Sequence, residues 1–367
     1  MGFSSIVSPR RLPTPSQWLN IAATISILIL LYQILGHDSS LKVSEIQAPS
    51  KNQQNCSGHK GLKAPLPQMS ERARQSYCLA IHGVTANDNV QVVDVQSIRG
   101  DKYPPIKMAI YKGDDIVSKT LRETGVWELY LLQRFWDRTF TLNPGGPKGY
   151  FLDIGANVGY WTAQALGLGF STISVEPLPS NIQLLQLTAC LNPGFEEKLT
   201  IMPFGLGTEP ATCHVVSSDN NLGDGHTVCS EEALTTFLAE QRLKTPEQYS
   251  IRSSMEIVRL DDIIDTEITP VFALKIDVEG YEQHVFSDEG SSVFFTGSGN
   301  PSVISAEVYH CATEKNCDNG DRQYAEQLMK RGYHQEHPLQ DHNRSETFSY
   351  TSDLVWGMDT FFTKDRK

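Results

Sequence analysis

The stretch 149-GYFLDIGANVGYWT-162 decides how the rest of the chain is read. Its first part, 150-YFLDI-154, is a short apolar run that suits a buried strand, with one acid, Asp153, set inside it. Glycines at 155 and 159 then flank Asn157, and a helical pattern begins near 157–168. The spacing predicts a strand-to-helix turn whose bare backbone lets a ligand approach and whose helix N-terminus points amides at it.

Outward from this turn, strands and helices alternate. Strands are expected at 172-TISVE-176, 199-LTIMPF-204, 271-VFALKID-277 and 303-VISAEV-308, with helices over 179–192, 281–287 and 321–332 and terminal strands near 333–336 and 354–362. This alternation builds a parallel α/β sheet with helices on both faces. Upstream, 90-VQVVDV-95 and 106-IKMAIY-111 read as two short strands split by a turn, and 127-WELYLLQRFWDRTF-140 as a helix. A polar, Gly-rich insertion, 217-SSDNNLGDG-225, is expected to form a lid over an acceptor, with Asn221 as the contact. A helix over 231–243 and a short strand at 255–260 follow it.

In a doubly wound sheet, ligands sit outside the carboxyl ends of the strands where the strand order reverses. Asp153, Gly155, Asn157 and Gly159 occupy that end of the first strand. The dinucleotide fingerprint G-x-G-x-x-G is absent, and the charge of Asp153 suits an ammonium group better than a pyrophosphate. Glu176 follows twenty-three positions later at the end of the second strand, where a carboxylate can accept hydrogen bonds from both ribose hydroxyls. A nucleoside joined to an amino acid satisfies both acids, which points to S-adenosyl-L-methionine.

The pieces 152-LDIGANVGYWT-162, 175-VEPLPSN-181, 259-RLDDII-264, 274-LKIDVEGYE-282 and 303-VISAE-307 together resemble the FkbM family of class I S-adenosylmethionine-dependent methyltransferases, over about residues 120–310. The resemblance implies a seven-stranded Rossmann-like sheet with an antiparallel final hairpin, and methyl transfer to oxygen, often on a sugar. Asp153, Gly155 and Gly159 then hold the methionine end of the cofactor and Glu176 its ribose, with Asn157 and Asn181 completing the cofactor set. Asp277 is expected nearest the reacting methyl, Glu279 as the orienting or basic group, and Glu282 on the acceptor side. His310 is the best-placed histidine for base work. Paired acids can also cap a helix or bind a metal, but no metal is expected. Lys275, inside an apolar strand, is expected to snorkel or pair with an acid. Trp127, Phe135, Tyr160 and Trp161 are read as core, because helical spacing already explains them.

Composition limits the partners. The chain has 367 residues, 40% of them hydrophobic, and a net charge of −12, which argues against nucleic acid. Near the N-terminus, Arg10 and Arg11 precede 18-WLNIAATISILILLYQIL-35, which has no charged residue. At about 1.5 Å per residue this segment spans roughly 27 Å, enough for one transmembrane helix. A cleaved signal peptide and a buried soluble helix are the alternatives, and the missing A-x-A-like site favours an anchor. The positive-inside rule then divides the chain into a cytoplasmic segment 1–17, an anchor 18–35, a polar stem 36–75 and a lumenal catalytic domain 76–367. Asn55 and Asn343 head two N-x-[ST] sequons on the lumenal side. Of seven cysteines, the pairs Cys56–Cys78, Cys213–Cys229 and Cys311–Cys317 are close enough to form disulfides in an oxidising compartment, leaving Cys190 as a buried thiol, whereas a cytosolic protein would keep all seven free.

The whole reading is a type II membrane protein of the Golgi or endoplasmic reticulum that methylates a hydroxyl of a sugar, a glycan or another small molecule. Two alternatives are an NAD-dependent oxidoreductase or epimerase on a similar sheet, and a non-catalytic scaffold that keeps the fold.

Overall fold

The computed structural model describes Cys78, residues 89–308 apart from 101, 102, 114 and 245–247, and residues 320–336 and 357–364. All of these belong to the unit His59–Lys367. The apolar segment 18–35, both sequons, His310, Cys56, Cys311 and Cys317 lie outside the described residues. Among the described residues no helix is long and apolar enough to cross a membrane.

Seven strands form the main sheet: β3 (Tyr150–Ile154), β4 (Ser171–Val175), β5 (Leu199–Met202), β10 (Val271–Ile276), β11 (Val303–Val308), β12 (His334–Glu336) and β13 (Gly357–Thr363). Their spatial order is β12-β13-β11-β10-β3-β4-β5. The five from β5 to β11 run parallel, and β13 returns antiparallel between β11 and β12, as the family resemblance implies. These central strands are buried on both faces, so Val, Ile, Leu and Phe run through them almost unbroken. The order reverses at β3, which has β4 on one side and β10 on the other. That is where a ligand crevice is expected.

Helices cover the sheet: α1 (Ile116–Thr124), α2 (Leu129–Leu142), α3 (Tyr160–Gly167) and α4 (Pro179–Leu191) lie ahead of β5 in the chain, and α8 (Asp288–Thr296) and α9 (Gly320–Lys330) near its end. Short helices α6 (Leu260–Ile263) and α7 (Glu282–Val285) fill connections. Helix α1 was not expected from periodicity. Its signal is the start rather than the stripe: Asp115 accepts a hydrogen bond from Ser118 N at 2.8 Å as an N-cap, and Gly125 ends the helix in the left-handed conformation.

Strands β1 (Val90–Val95) and β2 (Ile106–Tyr111) pair antiparallel as expected. They dock on α4, where the Asn192 side chain bridges Lys107 N and O and Thr188 Oγ1 accepts from Ala109 N. This docking also corrects one disulfide. Cys190 is not a free buried thiol and Cys78 does not pair with Cys56: the two join each other, with Cα atoms 5.4 Å apart. Proximity in space, set here by the tertiary position of α4, governs pairing, and proximity in sequence does not. Cys213–Cys229 forms as expected.

The region between β5 and β10 departs most from the sequence reading. Its expected lid is instead a second, four-stranded sheet in the order β6-β9-β7-β8, made of β6 (Gly205–Leu206), β7 (Ala211–Ser218), β8 (Asn221–Val228) and β9 (Tyr249–Val258), with α5 (Glu231–Lys244) between β8 and β9. Residues 217–225 are the tip of the β7–β8 hairpin and the start of β8.

Candidate active site

The turn after β3 is held by its neighbours. Gly155 N and Ala156 N both donate to Val175 O, and Asp277 N donates to Ile154 O. Gly155 has φ +73, and a Cβ there would lie 1.8 Å from the Asp277 carbonyl oxygen. A Cβ at Gly159 would meet Leu185 Cδ2 at 2.4 Å. The glycines thus serve close packing between strand ends and helix as much as ligand approach.

Two clefts open over these strand ends. The first runs from the β3 turn across the ends of β4 and β5, walled by Val175, Leu178, Phe204 and Met255, with Gly223 and Gly225 of β8 opposite. The second lies toward β10 and β11 and is lined by Trp127, Glu128, Tyr160, Asn221 and Glu307. Asn157, Asp277 and Glu279 belong to both and mark where the clefts meet. The non-glycine residues with positive φ among the described residues are Glu128 (45°), Asn157 (53°) and Glu279 (54°), and all three line the second cleft. Strained backbones of this kind collect at functional sites.

Glu176 stands at the end of β4, buried, and faces the first cleft. Its Oε2 accepts from Asn157 N and its Oε1 from Leu178 N, both at 2.8 Å. Burial pushes its pKa up to about 7 against the lowering effect of those amides and of Asn181. Tyr111 donates its hydroxyl proton to Asn181 Oδ1 at 2.7 Å, so a chain from β2 through α4 props the carboxylate. Asp115 extends the same support, accepting from Gly223 N at 3.0 Å. Neither Tyr111 nor Asp115 was anticipated as part of the site, because each acts from a segment distant in sequence.

Asp153 does not face a ligand. It is fully buried, accepts from Thr162 Oγ1 at 2.6 Å and lies 3.9 Å from Lys275 Nζ. Its expected role as a direct ammonium partner is therefore corrected: its carboxylate is enclosed behind the wall. Lys275 pairs with acids as foreseen, donating to Gly155 O at 2.8 Å and standing 3.3 Å from Asp277 Oδ2. Burial pushes the Lys275 ammonium down, but Asp277, Asp153 and Glu128 together outweigh it and the pKa is raised, so the lysine stays charged. Burial raises the Asp153 carboxyl, with Lys275 and Thr162 opposing.

Glu282 leaves the list of acceptor contacts. It is buried and accepts from Val278 N at 2.8 Å, closing its own turn, and it lines neither cleft. Asn221 lines the second cleft and accepts from Ile116 N at 3.3 Å. Phe135 is core, whereas Trp127, Tyr160 and Trp161 both pack in the core and line the second cleft. Among the described residues no group of His, Cys, Asp and Glu is arranged to hold a metal ion.

Comparison with known proteins puts the chain in a group. No curated protein matches it. Among solved structures it is similar to methyltransferase FkbM from Methylobacillus flagellatus KT, at 16% identity over 64% of this chain and 53% of that one, with a TM-score of 0.34. It also matches precorrin-6y C5,15-methyltransferase from Geobacter metallireducens GS-15 at 14% identity, over 56% of this chain and 72% of that one, with a TM-score of 0.28. A third match is phosphoethanolamine N-methyltransferase 2 from Haemonchus contortus in complex with S-adenosyl-L-methionine, at 14% identity over 72% and 60%, with a TM-score of 0.23. The chain thus spans about half the length of the first of these. Residues 153–337, half of the sequence, match the model of the methyltransferase FkbM domain, and the chain belongs to that family.

Proposed function

We propose that this chain is an S-adenosylmethionine-dependent O-methyltransferase acting on a hydroxyl of a sugar or glycan in the secretory lumen, held there by residues 18–35. The observation that carries the reading is the meeting of the two clefts at Asn157, Asp277 and Glu279 over the switch point of the sheet. The first cleft suits an adenosine: its walls carry apolar side chains, and the Glu176 carboxylate, which already accepts from the amides of Asn157 and Leu178 and from Asn181, keeps a lone-pair site to which a ribose hydroxyl can donate. When bound, the cofactor supplies an activated methyl group on a sulfonium, already joined to a good leaving group. Gly155, Gly159 and Asn157 shape the turn against which it lies, and Asn181 props Glu176.

The chain's own task is to align the acceptor and remove its proton. Glu279, fixed by its backbone at the junction, takes the hydroxyl proton, and Asp277, anchored by Lys275, orients the acceptor beside it. His310 remains a second candidate for the base. Two disulfides, Cys78–Cys190 and Cys213–Cys229, support an oxidising compartment.

Calorimetric titration of S-adenosylhomocysteine into the full chain tests the cofactor. Micromolar binding, lost in Glu176→Ala while the fold is kept, is the expected result; a folded wild type that binds NAD and ignores this ligand would move the assignment to the oxidoreductase reading. Transfer of labelled methyl to a glycan panel, abolished in Glu279→Gln, tests the acceptor class.

A further inference from the structure

We infer that Glu128, which no motif singles out, is the anionic contact for the ammonium of the cofactor's amino-acid arm. The inference rests on the methyltransferase reading above. An S-adenosyl ligand carries a nucleoside at one end and an α-amino acid at the other, and the amino end needs a negatively charged partner. Asp153 was the expected partner, but it is fully buried and lines neither cleft: its Oδ2 accepts from Thr162 and its Oδ1, which has no hydrogen-bond partner, is shut away from both clefts 3.9 Å from Lys275 Nζ. The partner must therefore come from the walls themselves.

Four carboxylates line the second cleft: Glu128, Asp277, Glu279 and Glu307. Asp277 is tied to Lys275. Glu279 follows β10 at the junction of the two clefts, where the proposed mechanism uses it on the acceptor's proton, and Glu307 lies near the end of β11 and lines only the second cleft. Glu128 also acts on the charge of Lys275 but comes from a different wall. It precedes α2, and its Oε2 accepts from the indole Nε1 of Trp161, a first-turn residue of α3, at 3.2 Å, in the cleft that Asn157 of the glycine turn also lines. With the adenosine on Glu176, an amino-acid arm that crosses the Asn157 turn reaches the α2–α3 wall.

The backbone agrees. Glu128 is held at φ 45°, and its carbonyl accepts from Leu132 N at 3.0 Å to open α2. A non-glycine residue in that conformation costs roughly 1 kcal/mol or more, which the surrounding structure must over-determine. The indole bond and the helix start together fix the carboxylate before any ligand arrives, the preorganisation that an ion pair inside a cleft requires.

The test is a ligand–residue cycle read by calorimetry on the full chain. The probes are S-adenosylhomocysteine and its deaminated counterpart, which keeps the adenosine, thioether and carboxylate and lacks only the amine. Wild type is expected to prefer the aminated ligand by about tenfold or more. In Glu128→Gln, which still offers an oxygen to Trp161 Nε1, the preference should vanish, while the deaminated ligand binds as in wild type and so reports an intact cleft. If this variant fails to fold, Glu128→Asp takes its place, keeping the charge one methylene further back; a reduced preference supports the assignment and an unchanged one overturns it. A preference that survives in Glu128→Gln overturns it as well. Failure of the underlying reading looks different: a folded wild type that binds neither ligand removes the S-adenosyl site and Glu128's role with it.

Discussion

The seven-stranded and the four-stranded sheets face each other across the first cleft, and they were built by different rules. In β10 all six residues are buried, and in β11 all but one nearly so; along β9 buried positions are scattered among exposed ones. A parallel sheet covered on both faces leaves a continuous apolar run in the sequence. A sheet with one wet face leaves serines and charges between its apolar residues, as in 249-YSIRSSMEIV-258. The first sheet sets the floor of the cleft and its acids, and the second contributes a wall through Gly223, Gly225, Thr227 and Met255. Rigidity should follow the same division, with the floor intolerant of change and the wall adjustable.

Matched glycine substitutions give the largest expected contrast. Gly155→Ala places a Cβ 1.8 Å from the Asp277 backbone oxygen at φ +73, so β3 and β10 must separate at the centre of the main sheet. A loss of about 4 kcal/mol is expected, in the range reserved for core overpacking combined with backbone strain. Gly225→Ala in the second sheet meets only Val215 Cγ1, at 2.7 Å, a side-chain tip that can turn away, and should cost about 1 kcal/mol. Denaturant unfolding of both variants measures the gap. Equal losses would mean that the wall is as rigid as the floor.

Legibility followed the same line. The βα series was readable because its central strands are buried, where composition and position coincide, whereas the antiparallel direction of the final hairpin came from the family resemblance alone. The lid expected at 217–225 was misread because a hairpin tip of Ser, Asp, Asn and Gly has the composition of a loop, and its pairing partner, β9, begins some thirty residues later, at Tyr249. Asp153 was placed at the right strand end but with the wrong exposure: sequence shows a carboxylate at position 153 and cannot show that Lys275, its register partner on β10, lies beside it. Tyr111, Asp115 and Glu128 were missed for a related reason. They reach the site from the N-terminal ribbon and its helices, through contacts spanning 33 to 108 positions.

Protonation should test the floor next. Glu176 has a folded pKa of about 7, raised by burial above its ordinary 4.5. Below pH 4.5 the carboxyl is protonated in the folded and unfolded chain alike. Between 4.5 and 7 the unfolded chain ionises first, so stability falls as pH rises, by up to about 3 kcal/mol once pH exceeds 7. Under the proposed function ligand binding runs the other way: ribose hydroxyls would donate to the ionised form, so affinity for S-adenosylhomocysteine should rise with pH up to about 7 and then level off. Unfolding free energies and titrations at pH 5, 6, 7 and 8 check both signs, and Glu176→Gln should flatten both slopes. Slopes that survive in Glu176→Gln would assign the titration to another group.

The smallest expected effect lies in the wall and decides whether its adjustability reaches the ligand. Arg252 on β9 grips the β7–β8 corner, donating from Nε to Ser217 Oγ at 2.8 Å and from Nη2 to Ser218 O at 2.8 Å and Asp219 Oδ1 at 2.7 Å. The corner is partly exposed, so the acceptors freed in Arg252→Ala find water and the stability cost should be only about 1 kcal/mol. The same hairpin carries Gly223, whose amide is tied to Asp115, and Gly225, both on the cleft wall. Slackening the corner should therefore weaken S-adenosylhomocysteine a few-fold while Glu176 and the main sheet stay in place. Arg252→Lys keeps the charge but not the planar fork that reaches three acceptors at once, so it should recover only part of the affinity. An unchanged affinity in Arg252→Ala would show that the Asp115–Gly223 bond alone seats the wall, with the arginine serving only the outer end of the hairpin.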